Sequence, residues 1–330
     1  MSGRWTIRLH TRQRFGELMA DVIVFNNHGV GQSIRLERLP QWGETVQGLG
    51  WKVEEDGGKG SNVAVALGRL GVDAAFMGKL GEDDWGRQGI GWMEAAGVDV
   101  SHVRISPEVS TCAGLVITRS DGQNAIIVGK SSSDFMTEEE ICRDMDAMKG
   151  ARLFITGFEI DRKKALFAAR RANSLGMVTI LNASPLDGAV KERLTGIDIL
   201  IVNETEAGMM LEGGMGREAE HKARLLSEVY GVKTVIVTLG GKGCETWESD
   251  KETWFPPVPA EVVDTTGAGD GFLAAFAANL VWEKSFEEAC ANAGKYAAYT
   301  TTKKGTVAAY PHYRKYRAIL SGQDGQAGEK

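Results

Sequence analysis

Short apolar runs alternate with amphipathic segments along the chain from residue 21 onward. The apolar runs are rich in β-branched residues, have the length of strands and end at glycine or polar residues. They occupy residues 21–25, 74–78, 152–156, 177–182, 197–202 and 233–239. Segments with helical periodicity lie between most of them, at residues 62–70, 85–96, 162–175 and 217–230. Apolar strands that alternate with helices predict an α/β fold, with a doubly wound, mainly parallel sheet and helices on both faces.

Two segments depart from this pattern. Residues 33–55 and 111–129 alternate apolar with polar positions, and the sequence SDGQ at residues 120–123 is typical of a hairpin turn. The alternation predicts half-exposed antiparallel strands, which are too short to form a domain of their own. We therefore expect a small sheet that projects from the main one as a lid over a cleft.

The two ends of the chain differ from the part between them. Residues 1–20 carry four arginines before the first acid, Glu17. This pattern resembles a transit peptide loosely, although a variable extension or a start codon placed too early explains it better. The last residues, 320–330, are polar and rich in glycine, which predicts a disordered tail. We expect one α/β domain over residues 21–319.

Composition excludes several classes of protein. The 38 Lys and Arg residues and the 44 Asp and Glu residues give a net charge of −6, which argues against a broad nucleic-acid surface. No apolar run approaches membrane-spanning length. The four cysteines lie far apart in the sequence and form no CxxC motif, which predicts reduced, mostly buried thiols in a cytoplasmic protein.

The stretch VVDTTGAGDGF, residues 262–272, carries the clearest chemistry. Gly267 and Gly269 are predicted at the start of a helix, where free backbone N–H groups and the helix dipole bind anions. Asp270 lies in the same first turn, where a carboxylate beside a phosphate is unfavourable for binding alone. A substrate hydroxyl between the two would explain the acid, because Asp270 could accept its proton during attack on phosphorus. The alternative is that Asp270 only stabilises the helix end.

This stretch, with three others, resembles the signatures of the ribokinase-like (PfkB) family of carbohydrate kinases. The others are GGKGSNVAVALGRLG at residues 57–71, NETEA at 203–207 and VTLGGKG at 237–243, and all occur in the family's order. The resemblance covers roughly residues 21–319. It implies a ribokinase-like fold and ATP-dependent phosphorylation of a hydroxyl group on a sugar-type substrate, with Mg²⁺ and, in many members, a monovalent cation such as K⁺.

The resemblance also assigns roles to individual residues. It implies that Asp270 is the base and that Gly267, Ala268 and Gly269 form the anion hole. It implies that the substrate is bound by Gly58, Lys59, Asn62 and, by position after a strand, Glu159. It implies that the nucleotide is bound by Asn203, Glu206, Thr238, Gly240, Lys242 and Gly243. Glu206 would organise Mg²⁺ through water, and Asp264, Thr266 and Gly305 would surround the monovalent cation.

Three of these motifs also have purely structural interpretations. Ser61 or Asn62 could cap the helix that Gly71 ends, Asn203 and Glu206 match a capping box, and the glycines before Cys244 could form a simple β-turn. These interpretations do not exclude the functional ones. For His28, a structural role is the expected one.

The sequence departs from the family pattern at two positions. Family members usually carry an aspartate after the first strand that binds two sugar hydroxyls, but the ungapped count places Gly31 there. No carboxylate occurs between residues 22 and 36, so Asn26, Asn27 and His28 are the nearby polar replacements and we expect a substrate other than plain ribose. Ala309 stands where ribokinase has a serine near the cation site. In relatives the lid often forms a dimer interface, so the resemblance also implies a homodimer.

Other function classes fit less well. The segment GVG at residues 29–31 lacks the third glycine of a dinucleotide-binding motif, and a strand-like segment follows it instead of a helix. The segments GGKGS and GGKGC both lack the Ser or Thr that follows Lys in a P-loop. A nucleoside kinase of the same family and a sugar-sensing relative without catalysis remain open alternatives.

Overall fold

The computed structural model describes residues 20–121, 123–186, 188–211 and 220–323. In chain order, the strands of these residues are β1 (Val22–Phe25), β2 (Gly29–Arg35), β3 (Leu49–Val53), β4 (Ala74–Gly81), β5 (Val103–Ser106), β6 (Cys112–Thr118), β7 (Asn124–Val128), β8 (Leu153–Gly157), β9 (Val178–Asn182), β10 (Ile199–Asn203), β11 (Thr234–Thr238), β12 (Cys244–Glu248) and β13 (Lys251–Phe255). The α-helices are α1 (Gly58–Arg69), α2 (Asp84–Ala95), α3 (Glu138–Ala147), α4 (Arg162–Ser174), α5 (Glu204–Met210), α6 (Lys222–Tyr230), α7 (Ala268–Val281), α8 (Phe286–Thr301) and α9 (Tyr313–Leu320).

The main sheet has the strand order β13-β12-β11-β10-β9-β8-β1-β4-β5. The strands from β11 to β5 run parallel, and β12 and β13 add an antiparallel edge. Parallel neighbours need long crossover connections, and helices supply most of them here. The predicted doubly wound, mainly parallel sheet is confirmed, and each of the six predicted main-sheet strands is present.

The main sheet is buried on both faces. In β1, Val22 and Val24 belong to one apolar core while Ile23 and Phe25 belong to the other. The first core is completed chiefly by α1, α7 and α8, and the second by α3, α4 and α6. Side chains alternate between the faces of a strand, so a strand buried on both sides must be apolar throughout. This is the physical reason for the continuous apolar runs in the sequence.

The lid is a separate sheet with the order β3-β2-β6-β7. Its outer pairs, β2 with β3 and β6 with β7, are antiparallel as expected, whereas the central pair, β2 with β6, is parallel. The first lid strand begins at Gly29, four residues before the predicted segment, and residues 36–48 form no strand. Each residue of β3 is exposed, so the lid presents Leu49, Trp51 and Val53 to solvent.

Some predictions lie outside the described residues. They are the structure of residues 1–19, Gly122 in the hairpin turn, residues 217–219 of one predicted helix and residues 324–330 of the tail. Helix α9 ends at Leu320, one residue beyond the predicted domain limit. The four cysteines are all free, and three are buried, as expected. Within the described ranges, every helix is too short or too polar to cross a bilayer.

Candidate active site at the carboxyl edge of the sheet

The start of α7 forms one wall of the candidate site. Gly267 is the residue before the helix and has φ +73°, a left-handed conformation that glycine adopts without strain. The first helical hydrogen bond runs from the Gly271 amide to the Gly267 carbonyl at 2.9 Å. The amides of Gly269 and Asp270 precede that bond and therefore have no partner within the helix. The predicted helix start at GAG is confirmed.

Asp270 does not cap α7, because its carboxylate makes contacts to α1 instead. Asn62 Nδ2 donates to Asp270 Oδ2 at 3.0 Å, and Lys59 Nζ lies 3.6 Å from Oδ1. Only 6% of Asp270 is exposed. Burial raises the pKa of Asp270, while Lys59 and Asn62 oppose that rise by stabilising the carboxylate. Asn62 and Lys59 thus hold the Asp270 carboxylate beside the N-terminus of α7.

Glu159 joins the same cluster from the end of β8. Its Oε2 accepts a hydrogen bond from the Lys59 backbone amide at 2.7 Å. Burial raises the pKa of Glu159 to about 7, although the Lys59 charge acts in the opposite direction. Asp270 raises the pKa of Lys59 more strongly than any other group does, so the lysine is charged. The site therefore holds several carboxylates around one ammonium group.

The raised pKa of Glu159 predicts a pH dependence of stability. The folded state binds a proton at Glu159 more tightly than the unfolded chain does, so the free energy of unfolding should fall as pH rises from about 4.5 to about 7. Since Glu159 keeps some solvent exposure, we expect this residue to contribute about 2 kcal/mol of that fall. Urea unfolding across this range should show a shallower fall for Glu159→Gln. The same fall in wild type and Glu159→Gln would contradict the assignment, and Glu55→Gln, at an exposed position, is the control.

The remaining predicted sugar-side residues lie close to this cluster. A Cβ atom added at Gly58 would lie 3.2 Å from Glu159 Oε2 and 3.4 Å from Asn27 Nδ2. Asn27 is buried and accepts a hydrogen bond from Ser131 Oγ at 2.7 Å. Asn62 lies inside α1, and its Oδ1 accepts from the Gly57 amide at 3.1 Å. The structure therefore brings together Gly58, Lys59, Asn62, Glu159, Asn27 and Asp270. We call these six residues, which the sequence predicts to bind substrate, the sugar-side cluster.

His28 has a structural environment. One ring nitrogen lies 2.6 Å from Ser61 Oγ and the other lies 3.2 Å from the Trp85 carbonyl oxygen. Burial lowers the pKa of His28 to about 4, so the ring is neutral near pH 7. A neutral ring can donate to Trp85 and accept from Ser61 at the same time. This environment agrees with the structural role expected from the sequence.

A cavity of about 840 Å³ extends from Asp270 toward β10 and β11. Of the predicted residues, its lining includes Lys59, Asn203, Thr238, Gly240, Gly243, Gly267, Ala268, Gly269 and Asp270. Much of its wall is apolar and includes Phe255, Val258 and Ala298. A cavity with apolar walls and glycine-rich segments in its lining has the volume and chemistry of a small-molecule site. It meets the sugar-side cluster at Lys59 and Asp270.

Two predicted nucleotide-side residues lie outside that lining. Glu206 is 7% exposed and forms a capping box with Asn203, in which Asn203 Oδ1 accepts from the Glu206 amide at 2.8 Å and Glu206 Oε2 accepts from the Asn203 amide at 2.9 Å. The structural interpretation of NETE is therefore confirmed. The Lys242 side chain is 71% exposed and pairs with Glu204 at 3.4 Å. The structure does not bring its ammonium group into the cavity.

Asp264 connects two loops beside the start of α7. Its Oδ1 accepts hydrogen bonds from the Thr266 amide at 2.9 Å and hydroxyl at 2.7 Å, and its Oδ2 accepts from the Gly305 amide at 3.0 Å. Although burial opposes it, these bonds hold the pKa of Asp264 below its usual value. The three predicted cation-site residues are thus in contact, around a charged carboxylate.

Sequence reasoning missed two residues of the site. Tyr310 donates a hydrogen bond to the Gly267 carbonyl at 3.0 Å, which fixes the turn before α7. Asp56 accepts from Asn62 Nδ2 at 2.8 Å and from the Gly58 amide at 3.2 Å. For Asp56 a signal was present, because it directly precedes GGKG. For Tyr310 there was none, since its contact depends on the packing of distant segments.

Comparison with known proteins decides the family. Residues 30–312 match the model of a protein family that is described as pfkB family carbohydrate kinase. The chain belongs to the PfkB family of carbohydrate kinases. This match includes every residue of the sugar-side cluster except Asn27, which lies three residues before its start.

Individual proteins that are similar to this kinase carry names that agree with the family assignment. It is 28% identical over 311 residues to a deoxyribokinase of Salmonella typhi, with 93% of this chain and 97% of the relative covered. It is 31% identical over 267 residues to a bifunctional ribokinase/ribose-5-phosphate isomerase A of Fructilactobacillus sanfranciscensis, which covers 79% of this chain but 49% of that relative. The kinase thus spans about half the length of this longer relative.

Solved structures show the same fold. The structure of Arabidopsis thaliana ribokinase complexed with ribose and ATP superimposes with a TM-score of 0.82 at 30% identity, and covers 92% of this kinase and 99% of that chain. The ribokinase-like fold predicted from the sequence is confirmed.

Proposed function

We propose that this kinase transfers the γ-phosphoryl group of ATP to a hydroxyl of a sugar. The single observation that carries the proposal is the position of Asp270. Its buried carboxylate lies in the first turn of α7, beside amides that have no helical partner, where the sugar-side cluster meets the 840 Å³ cavity. The names of the relatives make ribose and deoxyribose the first candidate substrates.

Asp270 would act as the general base. As the substrate oxygen attacks phosphorus, its O–H bond breaks, the proton passes to Asp270, the new O–P bond forms and the bond between the γ-phosphorus and ADP breaks. A raised pKa makes Asp270 a better proton acceptor than an ordinary aspartate, and Lys59 keeps it ionised beforehand. The helix-start amides would receive the negative charge on the transferring group.

Magnesium fits this arrangement as a metal held mainly by phosphate and water. Among the described residues there is no cluster of three or more His, Cys, Asp or Glu side chains that would hold an ion alone. Mg²⁺ in phosphoryl-transfer sites typically uses one or two carboxylates together with waters and substrate phosphates. Glu206 does not line the cavity itself but is hydrogen-bonded to the lining residue Asn203. It would hold Mg²⁺ through water, and the ion would neutralise phosphate charge when bound.

We also propose a monovalent cation beside the anion hole, held by Asp264 with oxygen atoms of the two loops that it joins. The carboxylate is charged and already positioned, which suits a cation. If the site is used, replacing Na⁺ by K⁺ should raise kcat without a change in the oligomeric state. Initial rates in tetramethylammonium buffer with added NaCl or KCl would test this, and equal rates in all three would count against the site.

A screen for ADP release tests the proposed function. It should compare pentoses including ribose and deoxyribose, hexoses, amino sugars, polyols and nucleosides, with the Asp270→Asn protein as the blank. We expect a sugar as the best substrate. A nucleoside as the best substrate would replace the substrate class, and no ADP release with any compound would overturn the proposal.

A further inference from the structure

The loop before α1 carries a carboxylate that the proposed mechanism does not use. This residue, Asp56, lies against β2, because the Gly31 amide donates to the Asp56 carbonyl at 3.0 Å and the Glu54 amide donates to the Gly31 carbonyl at 2.8 Å. Backbone hydrogen bonds therefore fix the position of Asp56 relative to the strand. The Asp56 side chain is partly exposed, so a ligand can reach it.

The two oxygens of Asp56 have different surroundings. The Gly58 amide and Asn62 Nδ2 both donate to Oδ1, at 3.2 and 2.8 Å. Among the described residues, Oδ2 has no hydrogen-bond partner. It faces β2 at Gly31, where an added Cβ atom would lie 3.4 Å from Oδ2 and 3.1 Å from Asp56 Cβ. The missing side chain at Gly31 thus leaves the space that Asp56 occupies.

Asp56 is joined to the proposed general base, Asp270, through the side-chain amide of Asn62. The two hydrogens of Asn62 Nδ2 go to Asp56 and Asp270. A substrate whose reacting hydroxyl lies at Asp270 would therefore extend its other hydroxyls toward Asp56. With such a substrate, Asp56 would lie beside a part of the molecule that does not react.

The charges of the cluster favour a ligand rich in hydrogen-bond donors. The carboxylates of Asp270, Glu159 and Asp56 all raise the pKa of Lys59, with Asp270 first. Ionised carboxylates only accept hydrogen bonds, so a ligand must supply the donors that Lys59 and Asn62 do not. Neighbouring hydroxyls of a sugar have this property, and a carboxylate oxygen that loses water without gaining a donor when the ligand binds would disfavour analogues that lack them.

We propose that Asp56 is a specificity-determining residue that binds one or two substrate hydroxyls, other than the one phosphorylated, through Oδ2. The inference rests on the proposed sugar kinase function and adds to it the residue that recognises the sugar. It also accounts for Gly31, because a side chain there would displace Asp56.

Asp56→Asn separates this role from a purely structural one. The amide oxygen of Asn can still accept from Gly58 and Asn62, while its NH₂ group replaces Oδ2 and cannot accept from a hydroxyl. We expect the KM for the best sugar to rise about 10- to 100-fold, with little change in kcat or in the KM for ATP. Glu55→Gln, the exposed neighbour, should leave all three constants unchanged.

Deoxy analogues of the best sugar identify the bound hydroxyl. Removal of a hydroxyl that Asp56 binds should raise the KM of the wild type, and the same removal should have a much smaller effect in Asp56→Asn. If every hydroxyl deletion has the same effect in both proteins, Asp56 binds no hydroxyl and the inference is wrong. A fall in kcat together with a rise in the KM for sugar and for ATP, and with a lower melting temperature, would show a structural role. That result would also overturn the inference.

A double variant that exchanges the residues at positions 31 and 56 gives a second test, which still works if a single variant folds poorly. In Asp56→Gly combined with Gly31→Asp, the carboxylate moves to β2 while the space is kept, because the two Cβ positions lie only 3.1 Å apart. We expect the exchange to recover most of the sugar affinity that Asp56→Gly alone loses, and no recovery would contradict the inference.

Calorimetry of sugar binding distinguishes this inference from the proposed function. If the wild type binds a sugar without phosphorylating it, the proposed function fails, and the same variants then test Asp56 through Kd. If the wild type neither binds nor phosphorylates any sugar, both are overturned. If it phosphorylates a sugar and Asp56→Asn does so with unchanged KM, only the inference about Asp56 fails.

Discussion

Asp270→Asn is expected to lower kcat by about 10² to 10⁴-fold while ATP and sugar still bind. The asparagine amide has nearly the same shape as the carboxylate and can still accept a hydrogen bond from Asn62, which lies 3.0 Å from Asp270. It cannot take the proton of the attacking hydroxyl near neutral pH. It also removes the negative partner of Lys59, so ATP affinity should increase slightly or stay the same. Initial rates and calorimetry on the same preparations would measure both effects.

The control for this variant is an acid with the same helical setting but no role at the site. Asp84 lies in the first turn of α2, and its side chain is 93% exposed. If Asp270 only stabilised a helix end, Asp84→Asn and Asp270→Asn would have comparable small effects on stability and none on kcat. Unchanged turnover in Asp270→Asn would show that the base has been assigned wrongly.

Gly267→Ala is expected to produce the second largest loss, about 10² to 10³-fold in kcat, together with lower stability. Its left-handed φ of +73° costs a residue with a side chain about 1 to 2 kcal/mol. In addition, a Cβ at Gly267 would lie 2.3 Å from Thr306 Cγ2 and 2.7 Å from the Tyr310 hydroxyl. The turn must therefore shift, and the amides that follow it would no longer point at the phosphoryl group.

Gly269→Ala is the matched variant within the same motif. A Cβ there meets no heavy atom within 4 Å, and alanine is a better helix former than glycine. We expect its melting temperature to be unchanged or higher while activity falls, because the new methyl group would occupy space beside the amides where the phosphate approaches. Thermal unfolding and turnover measured together would test this, and equal losses of stability in the two variants would contradict the account.

The main architecture could be predicted because it follows from local patterns. Strands such as β1 are buried on both faces, so their apolar runs are continuous and can be recognised without knowledge of their neighbours. The capping box at Asn203 and Glu206 and the helix start after Gly267 are likewise determined by residues close together in sequence. For these features sequence and structure agree.

Features that depend on long-range packing could not be predicted. In the sequence, Gly31 stands at the position where family members usually carry a sugar-binding aspartate, which predicts a substrate other than plain ribose. The structure brings Asp56, from 25 positions further along the chain, to the same place. With Asp56 in the role proposed above, the glycine is no longer a reason to exclude ribose. Lys242 shows the reverse case, since its motif suggested phosphate but its side chain points to solvent and Glu204.

The most direct test of the central claim is the fate of the γ-phosphoryl group. With ATP labelled with ¹⁸O at the non-bridging γ-oxygens, mass spectrometry of the products shows where that group goes. The account predicts a sugar phosphate that carries the labelled oxygens and an unlabelled bridging oxygen from the sugar hydroxyl, with almost none formed by Asp270→Asn. Labelled inorganic phosphate as the main product, or equal sugar phosphate from both proteins, would contradict it.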